Sequence, residues 1–170
     1  MSNDIVQIYL DGVTSAFAFL EIEYGYKLIE KTINNKDYYP DAEAIVRYEG
    51  PIVGVEVFWY FASSVIGVAF VKLEMGKFPD YASVNPILIN IYALADYVTK
   101  GKCDFFLLKD TSSASISKVK KRERIINDNM ERVLVNLSLG LKKYALNIIN
   151  GDTSIFSEVQ NYQLNLLKKK

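Results

Sequence analysis

The stretch from Ala42 to Leu73 constrains the fold more than any other part of this chain. It contains the only tryptophan and the densest run of β-branched and aromatic residues. Such residues pack well on the pleated, half-buried surface of a sheet. Gly50-Pro51 and Ala62-Ser63-Ser64 interrupt the run, as turns between strands do. The stretch therefore predicts two or three antiparallel strands at the centre of a small sheet.

Alternation within this stretch indicates an inner strand with two largely apolar faces. Successive side chains of a strand point to opposite faces. The first face carries Val53, Val55, Val57 and Trp59. The second face carries Ile52, Glu56, Phe58 and Tyr60. A strand that is apolar on both faces is expected to be covered on both sides.

A membrane helix over Ile52 to Val71 is the alternative for the same residues. The segment is twenty residues long with Glu56 as its only charge, and about twenty apolar residues span a bilayer. A carboxylate inside the span costs roughly 2.5–3.5 kcal/mol. The pair Ser63-Ser64 also lies where a hairpin needs a turn. We therefore favour strands and a soluble protein.

Length and cysteine content favour one cytoplasmic domain. A chain of 170 residues predicts a single domain, residues 1–170. One cysteine, Cys103, excludes an internal disulfide and fits a reducing compartment. The first twelve residues contain Asp4 and Asp11 and no basic residue, unlike a secretory signal. We predict cytoplasmic localisation.

The charge is balanced overall but differs between the two parts of the chain. Residues 1–75 hold eleven acidic and five basic residues, a formal charge of −6. Residues 76–170 hold nine acidic and fifteen basic residues, a formal charge of +6. We interpret this difference as two solvated faces of opposite charge, or as attraction between the two parts within the fold. A polar surface for a partner is the less favoured interpretation, since net charge bears on association and not on fold.

Apolar spacing predicts the elements of the first half. A helix covers Asp4 to Tyr24, with Gly12 as a point where it can break and Gly25 as its left-handed C-terminal residue. Four strands of an antiparallel meander follow at 26–33, 42–49, 52–61 and 65–73.

Three helices are predicted in the second half, and the run Cys103 to Leu108 is left unassigned. Asn85 and Pro86 begin the first, which ends at Lys100. The second begins near Ser117 and carries one apolar stripe: Ile126, Met130, Val133, Leu137, Leu141, Tyr144 and Ile148. The third follows Gly151. The fold class is α+β, with an N-terminal helix, a four-stranded antiparallel meander and about three helices packed on the sheet.

The residue types argue against catalysis. The chain has no histidine, which is the commonest general base and metal ligand and the usual partner of a nucleophilic cysteine. Neither GxSxG nor a phosphate-binding glycine loop is present. Asp37 and Asp41 flank a turn and suit a hard cation, but turns commonly hold such residues. We predict no enzyme activity, no metal site and no cofactor.

Five basic residues lie within seven positions at the start of the long helix: Lys118, Lys120, Lys121, Arg122 and Arg124. Such a cluster suits phosphate contacts. It lacks interleaved aromatic residues, and the whole chain carries no net charge, so a solvated helix face is the preferred interpretation. A nucleic-acid-associated protein is the alternative function.

One resemblance bears on function. The segments are Phe19-Leu20-Glu21-Ile22-Glu23-Tyr24-Gly25-Tyr26, Val46-Arg47-Tyr48-Glu49 and Val55-Glu56-Val57. Residues 15–75 thereby resemble a group of small uncharacterised bacterial proteins, some of which occur as immunity-like genes beside toxins. The resemblance brings no catalytic residues. It implies a non-catalytic binding protein, immunity-like, that acts on a protein partner through its surface.

The second face of the predicted inner strand is the surface most in need of a partner. Two aromatic rings of about 150–250 Å² each, left in water, forgo several kcal/mol at about 25 cal/mol per Å². A helix of the same chain or a second copy of the protein must cover them. The stripe from Ile126 to Ile148 packs most simply on its own sheet, and its sharing between chains would give a homodimer. We take Glu56, Phe58 and Tyr60 as predicted partner-binding residues.

Overall fold

The chain folds as α+β. A computed structural model describes residues 3–34, 43–80, 87–103 and 116–168. The helices are α1 (Asn3–Ala16), α2 (Ala18–Tyr24), α3 (Ile91–Val98), α4 (Ile116–Tyr144), α5 (Leu146–Ile149) and α6 (Phe156–Lys168). The strands are β1 (Lys27–Asn34), β2 (Glu43–Glu49), β3 (Val53–Tyr60), β4 (Val65–Lys72) and β5 (Leu88–Asn90). Predictions for Asp37, Asp41 and residues 104–108 lie outside the described residues.

The five strands form one antiparallel sheet in the order β1-β2-β3-β4-β5. Each end of the four predicted strands lies within one residue of the observed end. The fifth strand was not predicted, because its residues were assigned to the start of a helix. That helix begins instead at Ile91, where the Oδ1 of Asn90 accepts a hydrogen bond from the backbone N–H of Tyr92 at 2.8 Å.

The alternative of a membrane helix over 52–71 is wrong, because these residues form β3, β4 and the turn between them. Ser64 takes a left-handed backbone conformation in that turn, with φ of 50°. Among the described residues, Ile5–Tyr24 is the one stretch that length and apolar character would allow to cross a membrane. Here its inward side chains Tyr9, Val13 and Phe17 are fully buried in the core.

The first helix breaks at Phe17 and not at Gly12, where the sequence allowed a break. A Cβ atom on Gly12 would lie 2.7 Å from Cδ1 of Leu134. Gly12 therefore permits the close approach of α1 to α4. Gly25 has φ of 68° and ends α2 in the predicted left-handed conformation.

The main hydrophobic core lies between one face of the sheet and the helices. The predicted stripe of α4 is buried in it from Ile126 to Leu141, and Ile148 of α5 continues the stripe. The stripe thus packs on its own chain, as the preferred interpretation predicted. At the far edge, Tyr162 Oη of α6 donates to Asp96 Oδ2 of α3 at 2.6 Å.

Candidate binding surface

The second face of the sheet, opposite α1 and α4, brings Glu56, Phe58 and Tyr60 together as predicted. Phe58 is 6% exposed and Glu56 is 7% exposed, whereas Tyr60 is 43% exposed. Strand β3 is therefore buried on both faces along most of its length, as an inner strand should be. Ile52 was wrongly assigned to this face: it precedes β3, and its side chain lies against Gly151 after α5.

A row of three charged residues crosses this face. Strand register places Glu30 of β1, Arg47 of β2 and Glu56 of β3 directly beside one another. Arg47 Nη1 donates to Glu30 Oε2 at 2.6 Å, and Arg47 Nε donates to Glu56 Oε2 at 2.8 Å. One guanidinium therefore links three strands through two charge-assisted hydrogen bonds, which are the stronger kind.

The surroundings of this ionic row hold Arg47 in place. Its guanidinium carbon lies 5.3 Å from the ring centroid of Phe78, within the range of a cation–π contact. The same ring lies directly on Gly54 of β3, where a larger residue would collide with it. Arg47 is thus packed by an aromatic ring as well as by two carboxylates, which fix its orientation within the fold.

The electrostatics of the row keep Glu30 and Arg47 charged. Burial acts to raise the pKa of Glu30, but the hydrogen bond from Thr32 and the charge of Arg47 outweigh it, so that pKa is lowered from 4.5. Burial acts to lower the pKa of Arg47, and its bonds to Glu56 and Glu30 raise it instead. Glu30 is consequently a carboxylate throughout the neutral range and is a poor proton donor.

An aromatic pair occupies the neighbouring part of the face. The rings of Phe58 and Tyr60 have centroids 4.7 Å apart. Phe58 lies over Gly67 of β4, where a Cβ atom would be 2.5 Å from the ring tip. Ile45 and Ala69 complete the small buried cluster around Phe58. Because Gly67 has no side chain, the ring of Phe58 can lie directly over it, and that ring in turn packs against Tyr60.

Tyr60 is the exposed member of this pair, and it lies near the acidic residues Glu43 and Glu56. Burial raises the pKa of its hydroxyl, and the charges of Glu43 and Glu56 raise it further. Glu43 lies directly opposite Tyr60 in the register of β2 and β3. The hydroxyl therefore stays protonated at neutral pH and can donate to an acceptor on a partner.

These side chains present fixed charges, a supported ring and a hydroxyl donor. The residues described in the four ranges contain no group of three or more His, Cys, Asp or Glu side chains placed to hold a metal ion. The arrangement suits recognition of another surface. We refer to Glu30, Arg47, Glu56, Phe58 and Tyr60 as the β3 surface.

A shallow cleft of about 340 Å³ lies at the opposite end of β3, and it is where Ile52 is found. Its walls include Glu23, Tyr26 and Ile149. Tyr26 Oη donates to the carbonyl of Ile149 at 3.0 Å, and Glu23 accepts from Lys142 Nζ at 2.9 Å. These two hydrogen bonds hold α2 and the residue just before β1 against α4 and α5.

The basic residues of the alternative function lie in the first turns of α4. Lys120, Lys121 and Arg124 are exposed, and the side chains of Lys118 and Arg122 are outside the description. Asn129, with φ of −144° and ψ of 33°, breaks the helical backbone after this segment. The basic turns are thus set apart from the buried half of α4.

Sequence reasoning missed Arg47, Glu30 and Phe78 as parts of this surface. Arg47 is the only basic residue between Ala42 and Val71, which was an available signal. Its partners depend on strand register across β1, β2 and β3, which one-dimensional alternation leaves open. Comparison of the chain with protein family models, with curated proteins and with solved structures finds no match.

Proposed function

We propose that this chain is a non-catalytic, cytoplasmic binding protein of the immunity-like kind, which inhibits a protein partner through the β3 surface. The observation that carries the proposal is Tyr60, which is 43% exposed although it stands at the end of an otherwise buried strand. Tyrosine and arginine are enriched among the residues that dominate binding energy. The resemblance of residues 15–75 to immunity-like proteins supports the same class of function.

The support beneath Tyr60 adds to this argument. The ring centroid of Phe58 lies 4.7 Å from that of Tyr60, and Phe58 itself packs over Gly67. Arg47 is fixed by Glu30 and Glu56. A surface that is rigid before binding loses less conformational entropy on association. A small patch of this kind therefore suits a tight inhibitor better than its area alone would suggest.

A protection assay tests the proposal. The product of each gene next to the source gene is expressed in a host with and without this chain. We expect one neighbour to be toxic and this chain to restore growth. Tyr60→Ala should abolish protection while the protein still folds. Ile22→Ala changes an 82% exposed residue of α2 and is the matched control that should retain protection.

The alternative function, nucleic-acid association through Lys118 to Arg124, is favoured by the exposure of Lys120, Lys121 and Arg124. Phosphate contacts weaken steeply as salt rises. Titration of a nonspecific duplex at two salt concentrations separates the two functions. Strong, salt-dependent binding that Lys120→Glu with Lys121→Glu removes would replace the first proposal with this one.

A further inference from the structure

The cleft beside the start of β3 combines an apolar lining with a single charged side chain among the described residues. Its volume of about 340 Å³ lies at the lower end of the range that is typical of small-molecule sites. Glu23 and Asn150 contribute a carboxylate and an amide. Tyrosine rings, a proline and aliphatic side chains form most of the lining: Tyr24, Tyr26, Pro51, Ile52, Val53 and Ile149. The cleft therefore suits a ligand with an apolar body and a polar end.

Two glycines shape the walls of this cleft. The N–H of Gly50 donates to the carbonyl of Val53 at 3.2 Å and closes the turn before β3. A Cβ atom on Gly50 would lie 2.5 Å from the ring of Tyr26, so the missing side chain lets that ring form the wall. On the other side, Gly151 has φ of 94°, and a Cβ atom there would lie 3.1 Å from Cδ1 of Ile52. A larger residue at either glycine would therefore change the shape of the cleft.

The polar side chains of the cleft offer hydrogen-bond acceptors. Tyr26 uses its hydroxyl proton on the carbonyl of Ile149, and Asn150 uses an amide N–H on a carbonyl of the preceding turn at 2.9 Å. Glu23 uses one oxygen, Oε1, on Lys142. Within the described ranges, neither Glu23 Oε2 nor Asn150 Oδ1 has a further partner. A ligand group that donates hydrogen bonds and carries positive charge complements these oxygens.

The electrostatics of the wall favour a cation over an anion. The carboxylate of Glu23 attracts an ammonium group and repels a carboxylate or a phosphate. The half-buried ring of Tyr24 lines the same cleft, and the face of a tyrosine ring attracts a cation within about 6 Å. Lys142 already shows this chemistry within the chain: its Nζ lies 2.9 Å from Oε1 of Glu23 and 4.4 Å from the ring centroid of Phe19. An ammonium group from outside can bind the same carboxylate in the same way.

We propose that this cleft binds an organic cation, a primary ammonium group on an aromatic or aliphatic body, which pairs with Glu23 while the body packs on Tyr24 and Ile52. The ammonium group can belong to a free amine or to a lysine side chain of another protein. The inference does not depend on the binding function of the β3 surface. Val53 begins β3 and Tyr60 ends it, so the two sites lie at opposite ends of the strand.

Titration of the full chain with matched probes tests the charge requirement. Phenethylamine, phenethyl alcohol and phenylacetate share one ring and a two-carbon chain but differ in charge. We expect phenethylamine to shift the amide magnetic resonance signals of Ile52, Asn150 and Gly151 in a saturable way, phenethyl alcohol to act more weakly and phenylacetate not to bind. Equal responses to the three probes, or no response of these signals to phenethylamine, would overturn the proposal.

A fourth probe, N-acetyl-lysine amide, distinguishes the two sources of the ammonium group. It carries the side chain of a protein lysine without an aromatic ring. Tighter binding of this probe than of phenethylamine would assign the cleft to a lysine of another protein. Tighter binding of phenethylamine would assign the cleft to a free aromatic amine.

Variants of the Glu23–Lys142 ion pair should change phenethylamine binding in opposite directions. Glu23→Gln should weaken it about threefold, whereas Lys142→Met should tighten it about twofold because a competing cation is gone. An ion pair that only held α2 against α4 would weaken binding in both variants. Glu131→Gln changes an exposed carboxylate of α4 outside the cleft lining and is the control that should keep the natural affinity. Weaker binding in Lys142→Met, or unchanged binding in Glu23→Gln, would contradict the site.

Discussion

The two faces of β3 are stabilised in different ways, although their residues alternate along one strand. The helix-covered face is apolar, and Val53, Val55, Val57 and Trp59 are at most 1% exposed beneath the helices. The second face mixes a charged row, a supported aromatic pair and a half-exposed tyrosine. The first face gains from the area that it removes from water. The second face depends on strand register, which aligns the charged row, and on Gly54 and Gly67, which leave room for aromatic rings. Its packing is therefore sensitive to small changes of side-chain size.

The largest effect should come from truncating one aromatic residue on each face. Trp59→Ala removes a fully buried ring from the main core and should cost about 3–5 kcal/mol of unfolding free energy. Phe58→Ala on the second face should cost less, about 2–3 kcal/mol, because its cluster is small. Tyr60→Ala, at the exposed end, should cost under about 1 kcal/mol. Urea unfolding at neutral pH measures all three, and equal costs for Trp59 and Tyr60 would contradict the comparison.

Breaking the charged row should rank next. Arg47→Met keeps an unbranched apolar stem but removes the guanidinium, so Glu56 loses its 2.8 Å ion pair, and we expect a loss of about 2 kcal/mol. Adding Glu56→Gln to this variant should recover part of the loss, because the buried charge is then gone. Chemical denaturation of the single and double variants gives the comparison. If the double variant is less stable than Arg47→Met, the row does not act as an ion pair.

A smaller effect should follow from filling the space over Gly67 in which the ring of Phe58 lies. Gly67→Ala places a methyl group 2.5 Å from the present position of the ring tip, so the ring must move. We expect a loss of about 1–2 kcal/mol, since overpacking typically costs about 1–3 kcal/mol and alanine suits a strand better than glycine. Phe58→Leu should make the Gly67→Ala change nearly neutral. Thermal unfolding of the natural protein, the two single variants and the double variant measures the coupling between the sites. Additive losses would show that the two sites do not touch.

Lowering the pH should change the free energy of unfolding least of all these perturbations, and it should act on only one of the two faces. The folded pKa of Glu30 lies below 4.5, so its contribution to stability is present above that value and is lost as pH falls through the folded pKa. The β3 residues of the helix-covered face, Val53, Val55, Val57 and Trp59, carry no carboxylate, so their contribution should not change. Stability measured from pH 6 to pH 3 should fall less steeply in Arg47→Met than in the natural protein. Parallel curves for the two proteins would show that this ion pair does not contribute to the acid dependence.

Much of the fold was predictable because its signals are local. Period-two alternation placed four strands to within one residue at each end. The helical stripe from Ile126 to Ile148 was found by spacing alone, and the structure buries it. β5 was missed, because three residues give too little pattern to be recognised. On the candidate surface, Glu56, Phe58 and Tyr60 were found because they share one strand, whereas Ile52 was misplaced by extending that alternation past the strand end.

The sequence by itself determined four of the strands, the main helices and which of their side chains must leave water, because these follow from neighbours along the chain. Only the tertiary structure decided that Glu30, Arg47 and Glu56 form one row, that Gly67 seats Phe58 and that Gly12 admits Leu134. The physical reason is that each of these contacts joins separate elements. A register shift of a single residue would move the strand side chains among them to the other face, and only packing of the whole chain selects among the registers and brings α1 against α4.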